Sequence, residues 1–532
     1  MTIPSAELRP AYLEEWLDAL PYADFDKTCQ RLIQALGGTN HAELKASVRL
    51  ELMEQYIRPY EYLLGTWIKH GDPPSLQTMD ITLAHIERVK KIAQEIAYGL
   101  KLGIDESLMR KTRWLHSKPP IPAINMALRL LSHALLLNYQ EYAPVTQILW
   151  REIHDLYATA EQLGRENDPV KYPLEDDDGK GSVACSYKQI CTTALVDPHH
   201  LPYGAVWQIY DQLGDWSSRV NILPYQAHEH PAAYFVIDLA AGTTPLSLTR
   251  FSGEDDTRSL RLLDCNPLQS GVQQCLDLLR HGQALPSSLY LQGPQARFLL
   301  RYLIKAWGLP PKRLVPRRQR EDQAEMICGI NAAYYHLNSD QEFAYQPPAV
   351  SGEAIVVDGE ERQEWDPALK YRSDSWRFIN EGAGGFAVYS SIKPHQMVRV
   401  GELACLQTAE GEWLLGAIRW MMIREENEYR TGIQLITNKV RPVAVRATTG
   451  KELDKNYRRG FLFQRPGTPQ NSLLLTACGL YKEDRSLEIQ LPDDMEQGPV
   501  LVHCSDLIET TIVFDEFVIR SDTDQGRIEL SA

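Results

Sequence analysis

The sequence predicts an α+β protein of several domains, in which a helical N-terminal array is followed by antiparallel β-barrel or sandwich units. Three observations predict this class. Apolar residues recur at helical spacing through residues 44–163. Short apolar or alternating segments, each bounded by glycine or charged residues, follow one another from Trp376 to Arg446. A chain of 532 residues is also long enough for roughly three to four domains of ordinary size.

Composition along the chain predicts four domains. Residues 1–165 form an α-helical domain and residues 182–322 a second, mainly helical domain. Residues 323–450 form a β-barrel with a preceding strand and linker, and residues 451–532 form a second β-barrel or sandwich. The boundary at residues 165–181 is charged, contains glycine and lacks an apolar period, which is typical of a linker.

The first domain is predicted to contain four helices, at residues 44–67, 80–100, 124–142 and 145–163. Pro59 should kink or divide the first of them, because proline lacks the backbone N–H that a helix interior needs. Gly103 is a plausible stop signal near the end of the second. Residues 124–142 are apolar on nearly all sides, which predicts a buried central helix.

The second domain is predicted to be helical at residues 186–195, 203–213, 258–280 and 299–307, with one strand at 236–239. It ends in a basic, proline-containing hinge with five cationic side chains within nine residues: Lys312, Arg313, Arg317, Arg318 and Arg320. Such a cluster can bind nucleic acid or an acidic partner. Nearby aromatic residues that would stack on bases are missing, so we predict no nucleic-acid partner.

The composition excludes several other classes. A formal charge of −15 opposes non-specific binding to nucleic acids and anionic membranes. The nine cysteines form no C-x-x-C pair, which favours reduced thiols in the cytoplasm and no metal site. The N-terminus lacks the pattern of a signal peptide, and no long apolar run predicts membrane insertion. Since we find no motif of a nucleophile, phosphate loop or dinucleotide site, we predict no enzyme activity and no catalytic residue.

The regular strands after Trp376 carry a set of motifs. Residues 380–385 read Asn-Glu-Gly-Ala-Gly-Gly, close to the pattern [D/N]-x-S-x-x-G, and an apolar strand follows. Residues 416–420 and 432–435 match two later strand motifs, G-x-[IV]-[RV]-W and G-[IV]-x-[FL]. With these motifs, residues 376–446 resemble a PilZ domain, the small six-stranded β-barrel of bacterial cyclic di-GMP receptors.

This resemblance implies cyclic di-GMP as the ligand and no other cofactor. It suggests a set of ligand-binding residues in and near the motif: Arg362, Arg372, Arg377, Asn380, Gly382, Gly385 and Arg419. The chain departs from the family pattern in two respects. Gly382 stands at the serine position, and the family's preceding R-x-x-x-R is missing, since Arg362, Arg372 and Arg377 do not have this spacing.

Two functions remain after these exclusions. The first is a cytoplasmic bacterial signalling protein, in which the PilZ-like barrel binds cyclic di-GMP and the helical region binds a protein partner. The alternative is an interaction scaffold whose barrel binds no ligand. The two departures from the motif leave both open.

Overall fold

The computed structural model describes most of the chain, namely residues 8–69, 74–75, 78–111, 119–172, 181–226, 233–253, 257–286, 296–308, 316–343, 367–407, 411–424, 428–448, 456–465, 472–491 and 498–521. These residues divide into two compact units, Met1–Lys312 and Arg313–Ala532. The finer division into four domains stays a prediction.

The first unit is mainly helical. Its helices are α1 (Pro10–Asp18), α2 (Phe25–His41), α3 (Ala46–Gln55), α4 (Ile57–Leu63), α5 (Met79–Lys111), α6 (Ile121–Gln140), α7 (Gln147–Gln162), α8 (Val183–Ala194), α9 (Ala205–Trp216), α10 (Asn266–Arg280) and α11 (Ala296–Ala306). Side-chain oxygens of Asp24, Thr146 and Ser182 accept backbone N–H groups and cap the starts of α2, α7 and α8.

Helix α6 confirms the predicted central helix. It has the length and apolar composition of a membrane-spanning helix, yet most of its side chains are buried inside the first unit. It packs against α5, α7 and α8, and the hydrophobic core around it extends from Leu13 to Trp307. This core is continuous across the linker predicted at residues 165–181.

The helix end predicted near Gly103 is wrong, whereas the division predicted at Pro59 is confirmed a few residues earlier. Helix α5 continues through Gly103, where an added Cβ would lie 2.6 Å from the Leu50 side chain, so this glycine permits close packing with α3. The break predicted at Pro59 falls at Tyr56, between α3 and α4. Pro59 lies in the first turn of α4, where a missing N–H breaks no helical hydrogen bond.

A small antiparallel sheet completes the first unit. Its strands are β1 (Asn221–Pro224), β2 (Tyr234–Asp238), β3 (Leu246–Ser247) and β4 (Leu260–Asp264), in the order β1-β4-β2-β3. Strand β2 confirms the strand predicted at 236–239. The helix predicted at 258–280 begins only with α10, because the apolar residues before it form β4. A short apolar run suits a buried strand as well as a helix.

The second unit is built mainly of strands. These are β5 (Arg318–Gln319), β6 (Gln323–Cys328), β7 (Asp374–Gly382), β8 (Gly385–Ser390), β9 (Leu403–Gln407), β10 (Trp413–Arg424), β11 (Glu428–Thr437), β12 (Val440–Ala447), β13 (Arg458–Phe463), β14 (Ser472–Ala477), β15 (Ser486–Gln490), β16 (Val500–Thr510) and β17 (Phe514–Ser521). Two helices, α12 (Ile330–Leu337) and α13 (Pro367–Lys370), lie between β6 and β7 in the chain.

The first barrel is a closed antiparallel ring of six strands. The order β7-β6-β9-β10-β11-β8 is closed by the pairing of β8 with β7, and β5 pairs with the end of β7 beyond the residues that β6 pairs with. The turn between β7 and β8 and the hairpin between β9 and β10 lie at the same end of the barrel, since all neighbouring strands are antiparallel. The predicted six-stranded architecture is therefore confirmed.

The second barrel also has six strands, in the order β12-β13-β14-β17-β16-β15, closed by the pairing of β12 with β15. Strand β12 contains residues 442–446, which the sequence analysis had placed in the first barrel. That assignment is wrong, because β12 pairs only with strands of the second barrel. Helix α12 packs against strands of both barrels, and its Tyr334 is buried in their shared core.

Candidate functional site

The turn between β7 and β8 carries the glycine-rich motif. Gly382 pairs with Gly385 at the strand ends. A Cβ added to Gly385 would lie 2.0 Å from the Ile433 carbonyl oxygen, and the residue has φ 153°. Only glycine therefore fits where β8 passes β11, which explains the last position of the motif.

Gly382, at the position of the family's serine, has room for a side chain. A Cβ added there would meet the Cγ atom of Arg317 at 3.7 Å, an ordinary van der Waals distance. Asn380, two residues earlier, is paired with Ala387 of β8 and with Gln319 of β5. The motif is thus adjacent to β5 and to the arginine that precedes it.

Strand β5 brings the basic hinge to the motif. Arg318 and Gln319 pair with Glu381 and Asn380, and Arg317 and Arg318 are exposed. The prediction that R-x-x-x-R is missing was wrong, because Arg313 and Arg317 have this spacing. Arg313 itself lies outside the described residues.

Sequence reasoning missed this site for an identifiable reason. The R-x-x-x-R was expected just before the motif, whereas β6, α12 and residues 344–366 separate Arg317 from β7. The signal was present in the basic hinge, which had been interpreted as a connection between domains. Its arginine spacing would have identified it.

Arg320 occupies the centre of the site and is held by carboxylates. Its Nε donates to Asp322 Oδ1 at 2.9 Å, its Nη2 donates to Asp322 Oδ2, and its Nη1 donates to Glu381 Oε2 at 3.1 Å. The guanidinium also lies 3.8 Å from the centroid of the Phe378 ring. The hydrogen bond from Arg320 lowers the pKa of Asp322, and the same bond raises the pKa of Arg320.

A cleft of about 740 Å³ opens beside these residues at the end of the first barrel. One part of its wall is apolar and comes from four strands: Phe378, Phe386, Leu406 and Leu414. Charged groups, including Arg318, Arg320, Glu325 and Glu381, line the rest. An apolar wall with cationic donors suits a ligand that combines flat rings with anionic groups.

Two of the predicted arginines, Arg372 and Arg377, are not among the described residues that line this cleft. Arg362 lies outside the described residues. Arg372 precedes β7, and at about 3.3 Å per residue the ten residues to Gly382 place it roughly 30 Å from the motif. Arg377 is exposed on β7, between Gln323 of β6 and Tyr389 of β8. The positions of Arg372 and Arg377 therefore do not support the assignment of these two residues to the ligand site.

Arg419, which was also predicted to bind the ligand, is paired with an acidic residue of the second barrel. Its guanidinium forms a paired contact with the Glu509 carboxylate, with Nη2 2.7 Å from Oε2, and its Nε donates to Gln434 at 2.7 Å. Glu509 lies on β16, so this ion pair connects the two barrels. Arg419 belongs to the packing of the second unit rather than to the cleft.

The described residues contain no group of three potential metal ligands. Burial raises the pKa of the Cys328 and Cys405 thiols, so both cysteines stay protonated and behave as core residues. The exposed side chains of Arg317 and Arg318 beside the motif can bind an anion, whereas the carboxylates that line the cleft oppose one.

A closed six-stranded antiparallel barrel, with a glycine-rich Asx motif and arginines beside it, defines a PilZ-type protein. Comparisons with known proteins agree. The family model for the N-terminal domain of the cyclic-di-GMP receptor FimW matches residues 11–227. The model for its middle PilZ domain matches residues 234–349 and 345–442, so the two together cover more than half of the chain. The chain belongs to the FimW family of PilZ-domain proteins, a family of cyclic di-GMP receptors and not a known class of enzymes.

One curated relative is the cyclic-di-GMP receptor FimW of Pseudomonas aeruginosa. It is 22% identical over 507 residues, which cover 85% of this chain and 81% of the relative. No solved structure matches the chain. The second barrel lies almost entirely beyond the matched residues, since β12 begins at Val440.

Proposed function

We propose that this chain is a cytoplasmic bacterial signalling protein that binds cyclic di-GMP at the end of its first barrel and acts through a protein partner. The observation that carries the proposal is the position of β5. It brings Arg317 against Gly382 and Arg318 opposite Glu381, which supports a single site shared by these arginines and the glycine-rich motif.

The chemistry of the cleft suits both parts of this ligand. Cyclic di-GMP carries two phosphates and two guanines. Exposed guanidinium groups such as those of Arg317 and Arg318 can bind phosphate oxygens through two parallel hydrogen bonds. The ring of Phe386, which lines the cleft, offers an apolar surface to a guanine.

Calorimetric titration of the full chain with cyclic di-GMP tests the proposal. One charge-assisted hydrogen bond contributes about 1.5–3 kcal/mol, so Arg317→Ala should weaken binding by roughly 10-fold to 150-fold. Arg372→Ala is the matched control, because Arg372 is equally exposed but lies at the other end of β7. It should leave the Kd within about twofold, since its screened charge is far from the ligand.

Two results would contradict this assignment. If Arg372→Ala weakened binding as much as Arg317→Ala, the ligand would sit elsewhere on the barrel. If the unmodified chain gave no heat and no thermal shift well above micromolar ligand, the scaffold alternative would replace the receptor. The glycine at position 382 is the observation that favours this alternative.

We further propose that the helical unit binds the protein partner. Ile81 and Met109 are exposed apolar residues on α5, and Ile392 is an exposed apolar residue of the second unit. Photo-crosslinking residues placed at each position in living cells can locate the partner. Crosslinks to one protein at Ile81 or Met109, dependent on cyclic di-GMP and absent at Ile392, support the proposal. Crosslinks at Ile392 alone would assign the partner to the β-unit.

A further inference from the structure

Asp322 and Glu381 bind the guanidinium of Arg320, one of the arginines that line the cleft. Together they accept three hydrogen bonds from Arg320, at its Nε, Nη1 and Nη2 atoms. The pairing with Asp322 uses the guanidinium edge that would otherwise pair with two phosphate oxygens. A phosphate can bind this edge only where the carboxylate leaves it.

The backbone fixes the position of these groups. Arg320 N donates to the Ile379 carbonyl at 3.2 Å, and Phe378 N donates to the Asp322 carbonyl at 2.9 Å. The backbones of Arg320 and Asp322 are therefore both hydrogen-bonded to β7. Replacement of the Asp322 carboxylate by a phosphate as the acceptor for Arg320 needs only side-chain rotation. The strands of the barrel can stay as they are.

The side chains of Arg320, Asp322 and Glu381 are all partly exposed to solvent. The two carboxylates can therefore compete with a ligand for Arg320 without blocking the site permanently. The side chain of Arg320 is 26% exposed, that of Asp322 51% and that of Glu381 38%. Ion pairs with this access to water are weak, because the charges are screened and remain partly hydrated. A dianionic ligand can displace them at a modest cost in affinity.

We propose that Asp322 and Glu381 are affinity-determining residues of the ligand site, which hold Arg320 in place of a phosphate and so weaken binding of a cyclic dinucleotide. The inference rests on the proposed function. When Arg320 turns to a phosphate, the Phe378 ring that it now covers becomes available to a base. The exchange thus opens a charged contact and a stacking surface together.

Substitutions that keep shape but remove charge test this inference. In calorimetry with cyclic di-GMP, the double variant Asp322→Asn/Glu381→Gln should bind more tightly than the unmodified chain by roughly threefold to twentyfold, given what two partly exposed ion pairs contribute. Glu381→Gln alone should give part of this gain. It remains informative if the double variant folds poorly.

Glu325→Gln is the matched control. Glu325 lines the same cleft, but its carboxylate accepts from the Ser373 hydroxyl at 2.7 Å. Loss of this charge should change the Kd by less than about twofold, because no hydrogen bond to Arg320 is released. In an Arg320→Ala background, Asp322→Asn/Glu381→Gln should give no gain.

The outcomes separate this inference from the proposed function. Binding by the unmodified chain that Arg317→Ala weakens and Asp322→Asn/Glu381→Gln leaves unchanged would overturn the inference alone. An equal gain from Glu325→Gln would also overturn it, since general repulsion would explain the effect. No binding by either the unmodified chain or the double variant would overturn the proposed function and the inference with it.

Discussion

Gly382→Ser should strengthen ligand binding, because it restores the hydroxyl that the PilZ motif places at this position. The substitution fits the structure. An added Cβ at Gly382 meets Arg317 Cγ at 3.7 Å, and the residue has no left-handed φ that would disfavour a side chain. The new hydroxyl would stand between the Asn380 motif and the arginine segment, with no backbone rearrangement.

The expected gain follows from one hydrogen bond. A neutral pair contributes about 0.5–1.5 kcal/mol and a pair with a charged acceptor about 1.5–3 kcal/mol. In the proposed complex the hydroxyl would donate to the phosphate that Arg317 binds, so we expect a contribution of about 1–2 kcal/mol. This corresponds to a Kd lower by roughly 5-fold to 30-fold.

Calorimetry of Gly382→Ser beside Gly382→Ala separates the hydroxyl from the loss of glycine. Both substitutions add a Cβ and restrict the unfolded chain equally, so both share any change in stability. Only serine adds a donor. Equal affinities for the two variants would refute the reasoning, since the ligand would then pass at a distance from residue 382.

Two further predictions concern folding. Gly385→Ala should destabilise the second unit by about 1–3 kcal/mol or more, because the added Cβ overlaps the Ile433 carbonyl oxygen. Gly382→Ala is the matched control in denaturant unfolding. Equal stability of the two variants would contradict the steric argument. Burial raises the pKa of Glu516 to about 7. The folded chain therefore retains a proton that the unfolded chain loses above a pH of about 4.5. The free energy of unfolding should fall by up to about 3 kcal/mol as the pH rises to 7. Glu516→Gln should remove this decline relative to the unmodified chain; the same pH dependence in both would show that Glu516 is not responsible. Burial also raises the pKa of Glu141 to about 7. Its contribution to the pH dependence is the same in the unmodified chain and in Glu516→Gln, so it cancels in the comparison.

The strands of the barrels could be predicted because their apolar alternation is local. Trp376 is buried as expected of a core strand, and its neighbour Arg377 points outward. Local pattern does not say which sheet a strand joins, and β12 was assigned to the wrong barrel for this reason. Its partners, β13 and β15, follow it in the chain.

The ligand site was harder to predict because its parts are distant in sequence. Strand β5 has two residues, both polar and exposed, so it lacks any hydrophobic period. Its place beside the motif comes from backbone hydrogen bonds to β7, which no side-chain pattern reveals. For Arg419 the difficulty was the opposite one, because a local motif pointed to a residue that has a distant partner. It has the right residue type within a matching motif, but Glu509 of the second barrel binds it.

The acidic composition of the chain does not conflict with an anion site. At physiological ionic strength the Debye length is about 8 Å, so most of the −15 formal charge is screened from the cleft. The charges close to the cleft therefore decide whether it attracts an anion. Arg320 is compensated by Asp322 and Glu381, so attraction of a dianion depends first on Arg317 and Arg318. In the proposed complex, Arg317 and Arg318 provide the initial charge contact, and Arg320 adds a second one after Asp322 and Glu381 are displaced.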